Sequence, residues 1–282
     1  MASKASLGAD SQRFVLAASH LSKTYRQTRW FARRGNFAVP ALQDVSLSIA
    51  RAQFVGLVGE SGSGKSTLAR CLACLDRPDE GQVWMDGNNL LALKPRELRA
   101  ARREIQIIFQ GSAATLNPRF SGIEIVAEPL VILGRLAKQE RREHALALIE
   151  SVGLPRQLAE RRPSELSGGQ RQRLAIARAL ALRPKLVILD ESMAGLDLPV
   201  QAQIVNLLLD LRASLDISYL FISHDLRLAA HLADDLAVMN NGRIVEQGPA
   251  QDVVKYPQHP HTRALLSATS ELNPGSVRVN PA

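Results

Sequence analysis

Short, largely apolar runs alternate along the chain with longer segments of helical periodicity. Phe54–Val58, Ile105–Phe109, Leu186–Leu189 and Tyr219–Ile222 read as buried strands. Periodic segments follow them, such as Val200–Leu215 behind Pro199. Strand-then-helix alternation predicts an α/β fold built on a parallel sheet. Between Gly111 and Glu165 the strand pattern disappears. There Leu136–Val152 predicts a charged amphipathic helix and Ile123–Leu133 a second one, disturbed by Pro129. Residues 111–165 are therefore expected as a helical insertion in a sheet domain formed by 13–110 and 166–248. Residues 249–282 form a C-terminal extension, and the polar stretch 1–12 is expected to be mobile.

Hydrophobic residues make up 46% of the 282 and charged residues 22%, which fits a domain with a real core. No run reaches the ~18 apolar residues of a membrane-spanning helix. The start, MASKASLGADSQRF, has no apolar signal region, and Cys71 and Cys74 alone make no disulfide framework. A chain on the cytoplasmic side is expected. The net charge of +8 suits an anionic ligand, nucleic acid or membrane surface, or simply a solvated face, so charge leaves the partner open.

The segment GLVGESGSGKSTLARCL narrows the chemistry. Gly59, Gly64, Lys65 and Ser66 stand in P-loop spacing, after the strand Phe54–Val58 and before a helical run, Ser66–Leu75. Glycines let backbone amides close around phosphate oxygens, and the helix start adds partial positive charge. Gly59, Glu60, Ser61, Gly62, Ser63, Gly64, Lys65, Ser66 and Thr67 are the expected nucleotide loop. Lys65 would reach the terminal phosphates, and Ser66 would offer its hydroxyl to Mg²⁺. Downstream, KLVILDE ends an apolar strand in Asp190 and Glu191, where the ligand crevice of a parallel sheet lies. Asp190 is expected to hold Mg²⁺, and Glu191 to orient or deprotonate the attacking water.

Leu166-Ser167-Gly168-Gly169-Gln170, followed by RQRLAIARAL, lies between these motifs. Ser-Gly-Gly-Gln alone suits any capped surface helix. In this order and spacing it resembles the signature of the ABC ATPases, and the likeness extends from about Phe14 to Leu266. It implies a RecA-like P-loop core with an antiparallel β edge and an inserted α-helical subdomain. It also implies that two subunits pair head to tail, with ATP between the P-loop of one and Ser167, Gly168, Gly169 and Gln170 of the other. By the same resemblance Tyr25 stacks on adenine and Gln110 reaches Mg²⁺ and water. His224 contacts the γ-phosphate, and Asp197 lies at the subunit interface. The chain departs from the family at Ser192, usually Pro or Ala, at Ala194, usually Ser, and at Gly111, mostly Asp in close relatives.

The tail YPQHPHTRALLSA, the LNPR at Leu116–Arg119 and the basic Trp30–Arg34 insert resemble the ATPases of dipeptide, oligopeptide or nickel importers. That likeness implies ATP and Mg²⁺ as ligands, two membrane permease subunits and an external solute-binding protein. It also implies a homologous second ATPase subunit, with pairing to itself as the alternative. The place is the cytoplasmic face of the inner membrane, peripherally bound. Gly111–Pro129 is expected to form the groove for a permease helix. A nucleic-acid-acting ABC ATPase fits less well, since there is one core and no coiled-coil insertion, so no nucleic-acid partner is expected. An exporter motor is disfavoured by the tail. Cys71 and Cys74, without a second pair of ligands, are expected in the core rather than on a metal.

Overall fold

Three of the apolar runs become strands buried at every position, which is how a parallel sheet covered on both faces is built. The computed structural model describes residues 13–27, 37–111, 114–134, 136–193 and 195–271. The expected mobile start, the Trp30–Arg34 insert, Ala194 and the end from 272 onward lie outside them.

In chain order, long antiparallel strands β1 (Phe14–Gln27) and β2 (Phe37–Ala50) lead into β3 (Phe54–Val58) and helix α1 (Lys65–Leu72). Strands β4 (Glu80–Met85) and β5 (Asn88–Asn89), helix α2 (Pro95–Ala101) and β6 (Ile105–Ile108) follow. Next come the helices α3 (Gly122–Leu133), α4 (Lys138–Ser151) and α5 (Gly168–Leu180). The chain then returns to the sheet through β7 (Leu186–Asp190), α6 (Leu198–Leu215), β8 (Ser218–Ser223) and α7 (Leu226–Leu232). It finishes with β9 (Asp235–Asn240), β10 (Arg243–Pro249), α8 (Ala250–Lys255) and α9 (Pro260–Glu271).

The main sheet has the order β10-β9-β3-β8-β7-β6, parallel except for β10. A second, antiparallel sheet runs β2-β1-β4-β5. Successive side chains of the main sheet enter two different cores. Phe54, Val58, Leu189, Tyr219 and Phe221 pack with α3, α5 and α6, whereas Val55, Leu57, Ile188, Leu220 and Ile222 pack with α1, β1 and β2. On the first face Phe54 stacks on Tyr219 at 5.1 Å between ring centres. This two-sided burial holds the strands in register, with Val58 opposite Ser223 and Asp190 opposite Ile222. The carboxyl ends of β3, β7 and β8 therefore come out at one edge, where ligands of such sheets bind.

Three expectations are corrected by the structure. Helix α3 runs unbroken through Pro129. Its start is capped where the Ser121 amide donates to Glu124 Oε2 at 2.8 Å, and Ile123, Ile125, Val126 and Leu130 are buried. Each buried side chain contributes about 1.5–3 kcal/mol, enough together to exceed the ~3 kcal/mol cost of an interior proline. Strand β6 stops at Ile108, so Phe109 and Gln110 lie in an exposed turn rather than ending the strand. Helix α1 ends at Leu72 rather than Leu75, because Cys74 turns the chain with φ 53°.

Candidate functional site

The loop between β3 and α1 is closely packed from behind. A Cβ on Gly64, whose φ is 108°, would lie 2.4 Å from the carbonyl oxygen of Ala41, so no other residue fits there. Lys65 is buried, and its ammonium donates to the carbonyls of Gly59 and Glu60, both at 2.8 Å. The loop thus holds its own lysine inward on the Gly59 and Glu60 carbonyls. Burial pushes the Lys65 ammonium down from its usual range, and the carboxylates of Glu191, Asp190 and Glu60 work against that shift. Ser63 carries a buried hydroxyl with no hydrogen-bond partner among the described residues. The amides opening α1, from Lys65 to Thr67, have no intrahelical acceptors. Together these form a donor-rich cradle suited to phosphate oxygens.

At the end of β7, Asp190 is buried and accepts the Ser66 hydroxyl at 3.1 Å through Oδ1. Burial raises the Asp190 carboxyl, Glu191 adds to that, and Ser66 and Lys65 oppose it. Glu191 follows with φ 46°, a left-handed conformation that costs energy for a residue bearing a Cβ, and its amide donates to the Ile222 carbonyl at 3.1 Å. This turn directs the chain away from the strand line. Glu191 and His224 line one small pocket of about 80 Å³ with Met193, Gln201 and Leu228. His224 sits between two fixed neighbours: the Asp225 amide donates to Ser223 Oγ, and Asp225 Oδ1 caps α7 through the amides of Arg227 and Leu228.

Most of the remaining expected residues are placed apart from this centre. Gln110 lines a groove of about 670 Å³ with Arg103, Asn117, Ile132 and Leu133, and no described hydrogen bond joins it to Ser66 or Asp190. Tyr25, near the end of β1, is 38% exposed as a residue while its hydroxyl donates to Asp76 Oδ2 at 2.7 Å. Asp76 is in turn held by Arg70 of α1 at 2.8 Å, which keeps its carboxyl below the usual range. Ser167 caps α5: its hydroxyl accepts the Gln170 amide at 3.3 Å, and Gln170 Oε1 accepts the Ser167 amide at 2.9 Å. A Cβ on Gly169 would lie 2.7 Å from Val200 at the start of α6, whereas one on Gly168 would meet Leu196 at an ordinary 3.6 Å. Asp197 caps α6 by accepting the Val200 amide at 2.9 Å, beside Leu198, whose side chain is 75% exposed.

The matching family model is "ABC transporter", over residues 42–194. The chain belongs to the ABC transporter family. The P-loop, signature and β7 motifs all fall inside that span, and the cassette is that of an ABC ATPase. Among ABC relatives, the dipeptide transport ATP-binding protein DppF of Escherichia coli (strain K12) is 44% identical over 271 residues, covering 95% of this chain and 80% of the relative. The oligopeptide transport ATP-binding protein OppD of Mycobacterium tuberculosis is 43% identical over 92% of this chain and 42% of that protein. Among solved ABC structures, the dimeric cassette MJ0796 in a post-hydrolysis state with ADP and Pi superposes with a TM-score of 0.72 at 32% identity, over 83% of this chain and 98% of that one. The cbiO1 subunit from Clostridium perfringens gives 0.75 at 25% identity, over 93% and 96%.

Several residues around the centre escaped the sequence reading. Asp76, held by Arg70 of α1, fixes the Tyr25 hydroxyl, and Leu228 walls the Glu191–His224 pocket. Asp76 follows α1 in an ordinary loop, and Leu228 looks like any core leucine, so neither carried a signal. Cys71 and Cys74 are buried and free, their thiols pushed up by burial to about 12 and about 11, which makes them inert. No helix among the described residues is long and apolar enough to cross a membrane.

Proposed function

We propose that this chain is the ATP-hydrolysing subunit of a peptide importer, working on membrane permease subunits from their cytoplasmic side. The observation that carries the reading is the convergence, at one sheet edge of an ABC cassette, of Lys65, the Ser66–Asp190 pair and the Glu191–His224 pocket. Peptide is the cargo named for the relatives across most of the chain's length.

Lys65 leaves the loop carbonyls to meet the β- and γ-phosphates, and the amides of α1 and the orphan Ser63 hydroxyl bind the same oxygens. Ser66 and Asp190 offer an all-oxygen donor pair, which suits Mg²⁺, with Gln110 joining from its turn. When bound, that ion neutralises charge on the phosphates. Glu191 accepts a proton from the water that attacks the γ-phosphorus, and the bond to the bridging oxygen breaks to leave ADP and phosphate. His224 donates to the γ-phosphate and steadies the charge there. Positioning and electrostatics account for most of the acceleration.

Tyr25 stacks on adenine, with Asp76 holding its hydroxyl. Ser167, Gly168, Gly169 and Gln170 face the ATP of a second ATPase subunit, and Asp197 meets that subunit. A homologous partner is favoured over a self-pair. The groove at Gln110, between β6 and α3, receives the permease helix. An external solute-binding protein supplies the cargo. Deleting the gene and following uptake of labelled dipeptide and of nickel ions tests the whole reading. Dipeptide uptake is expected to be lost and nickel uptake kept. Loss of nickel uptake alone would replace peptide with metal as the cargo.

A further inference from the structure

The QHPHTR tail takes no part in the chemistry above, yet it is tied firmly to the core by one side chain. Glu246, on β10, accepts the Gln258 amide through Oε1 at 2.7 Å and the His259 amide through Oε2 at 3.0 Å. The same turn is tightened from the other side: Arg263 donates to the carbonyls of Pro257 at 3.0 Å and Gln258 at 2.9 Å. The His261 amide closes it by donating to His259 Nδ1 at 3.1 Å. Helix α9 begins at the next residue, Pro260, so the carboxylate of Glu246 fixes both where that helix starts and how it is aimed.

What α9 rests on links the tail to the catalytic pocket. Thr262 in its first turn is fully buried, and Leu265 and Leu266 pack on the core that holds Leu226, Ala229 and Leu232 of α7. Helix α9 lies directly against α7. Helix α7 starts at Leu226, two residues after His224, and its Leu228 forms a wall of the pocket shared by Glu191 and His224. A seven-residue helix cannot hold its own position in water, so its place is set by what packs on it. The contacts therefore run from Glu246 through the turn and α9 to α7, and from there to His224.

We propose that Glu246 is a positioning residue for ATP hydrolysis: it seats the turn before α9, and α9 holds α7 and the His224–Leu228 side of the catalytic pocket in place. The proposal rests on the role given to His224 above. Charge-assisted bonds to two amides are among the stronger ones a side chain makes, and both go to backbone that leads straight into α9.

The test uses the full chain carrying Glu246→Ala or Glu246→Gln. Amide hydrogen exchange over residues 224–233, in protein without nucleotide, should speed up roughly tenfold in the alanine variant and less in the glutamine one. Exchange in α1 should stay as in the parent protein. In the assembled transporter, kcat should fall about tenfold with KM for ATP within about twofold, since ATP is bound by other elements. In a His224→Ala background, adding Glu246→Ala should change the residual rate by no more than about twofold, because both act through one group. Unchanged exchange at α7 in both variants would overturn the proposal. So would an equal loss of turnover with and without His224. Should the alanine variant fail to fold, the glutamine variant decides, as it keeps the size and one acceptor oxygen. Normal turnover in His224→Ala alone would contradict the role of His224 itself, and the exchange result would still judge the latch.

Discussion

The Ser66 hydroxyl donates to Asp190 Oδ1 at 3.1 Å, joining the first turn of α1 to the end of β7 across 124 positions of sequence. The two motifs that carry these residues meet because β3 and β7 flank β8 in register, so both loops leave the sheet at the same edge. Asp190 there is buried, and its carboxyl is raised chiefly by that burial, with the Glu191 charge adding to it.

That burial makes Asp190 a stability cost kept for function. A carboxyl whose folded pKa lies above its unfolded value destabilises the fold once pH exceeds the folded pKa, and the penalty vanishes below the unfolded one. Asp190→Asn keeps the acceptor for Ser66 and removes the charge. Thermal unfolding at neutral pH without nucleotide should rise by about 2 °C, while Mg²⁺-dependent hydrolysis is lost. The gain should disappear in acid. A lower melting temperature at neutral pH would show that the charge is stabilising as it stands.

Tyr25 separates ring from hydroxyl. Tyr25→Phe keeps the ring face proposed to meet adenine and loses the hydroxyl that bonds Asp76, which Arg70 still holds. ATP affinity should be nearly unchanged in Tyr25→Phe and should drop by about 1–3 kcal/mol in Tyr25→Ala. GTP should bind nearly as well as ATP, since a stacking face distinguishes bases poorly. Nucleotide titration checks both, and equal affinity in the folded alanine and parent proteins would take Tyr25 out of the site.

The groove proposed to receive the permease helix calls for an exposed probe. Leu116 is only 8% exposed and sits in the core, so substituting it would disturb packing rather than docking. Ile132 is 67% exposed and lines the groove. Ile132→Asp should leave folding and ATP binding intact and abolish peptide uptake in the assembled transporter. Lost nucleotide affinity would make the segment structural.

Much of this arrangement is visible in the chain itself. Strands β3, β7 and β8 are buried on both faces, and such strands must be apolar throughout, so their runs stand out. Ser167 and Gln170 form a local capping box whose spacing alone announces a helix start. The misses come from distant packing. Pro129 is carried by a helix packed against α5 and α4, and β6, paired only with β7 among the described residues, ends before Phe109. Asp76 meets Tyr25 across 51 positions, a contact no local pattern reports.

The pairing of subunits is read from two variants. Lys65→Ala removes the P-loop cation, and Gly168→Asp sets a negative charge where the signature is proposed to face phosphate. A Cβ at Gly168 meets Leu196 at an ordinary 3.6 Å, so the backbone there tolerates a side chain and the charge is the change under test. If the partner is a different ATPase subunit, mixing the two variants should restore no hydrolysis, while each paired with that partner keeps one intact site. Recovery on mixing the two variants of this chain would show that it pairs with itself.

Hydrolysis at the Glu191–His224 pocket is the centre of the account, and Glu191→Gln tests it most directly. The amide keeps the size of the side chain that lines the pocket but cannot take a proton from water. Turnover measured beside ATP binding on the same preparation should fall by at least ~10²-fold, with affinity unchanged. Near-normal turnover in Glu191→Gln, with ATP bound as in the parent protein, would contradict the role of Glu191 as the base.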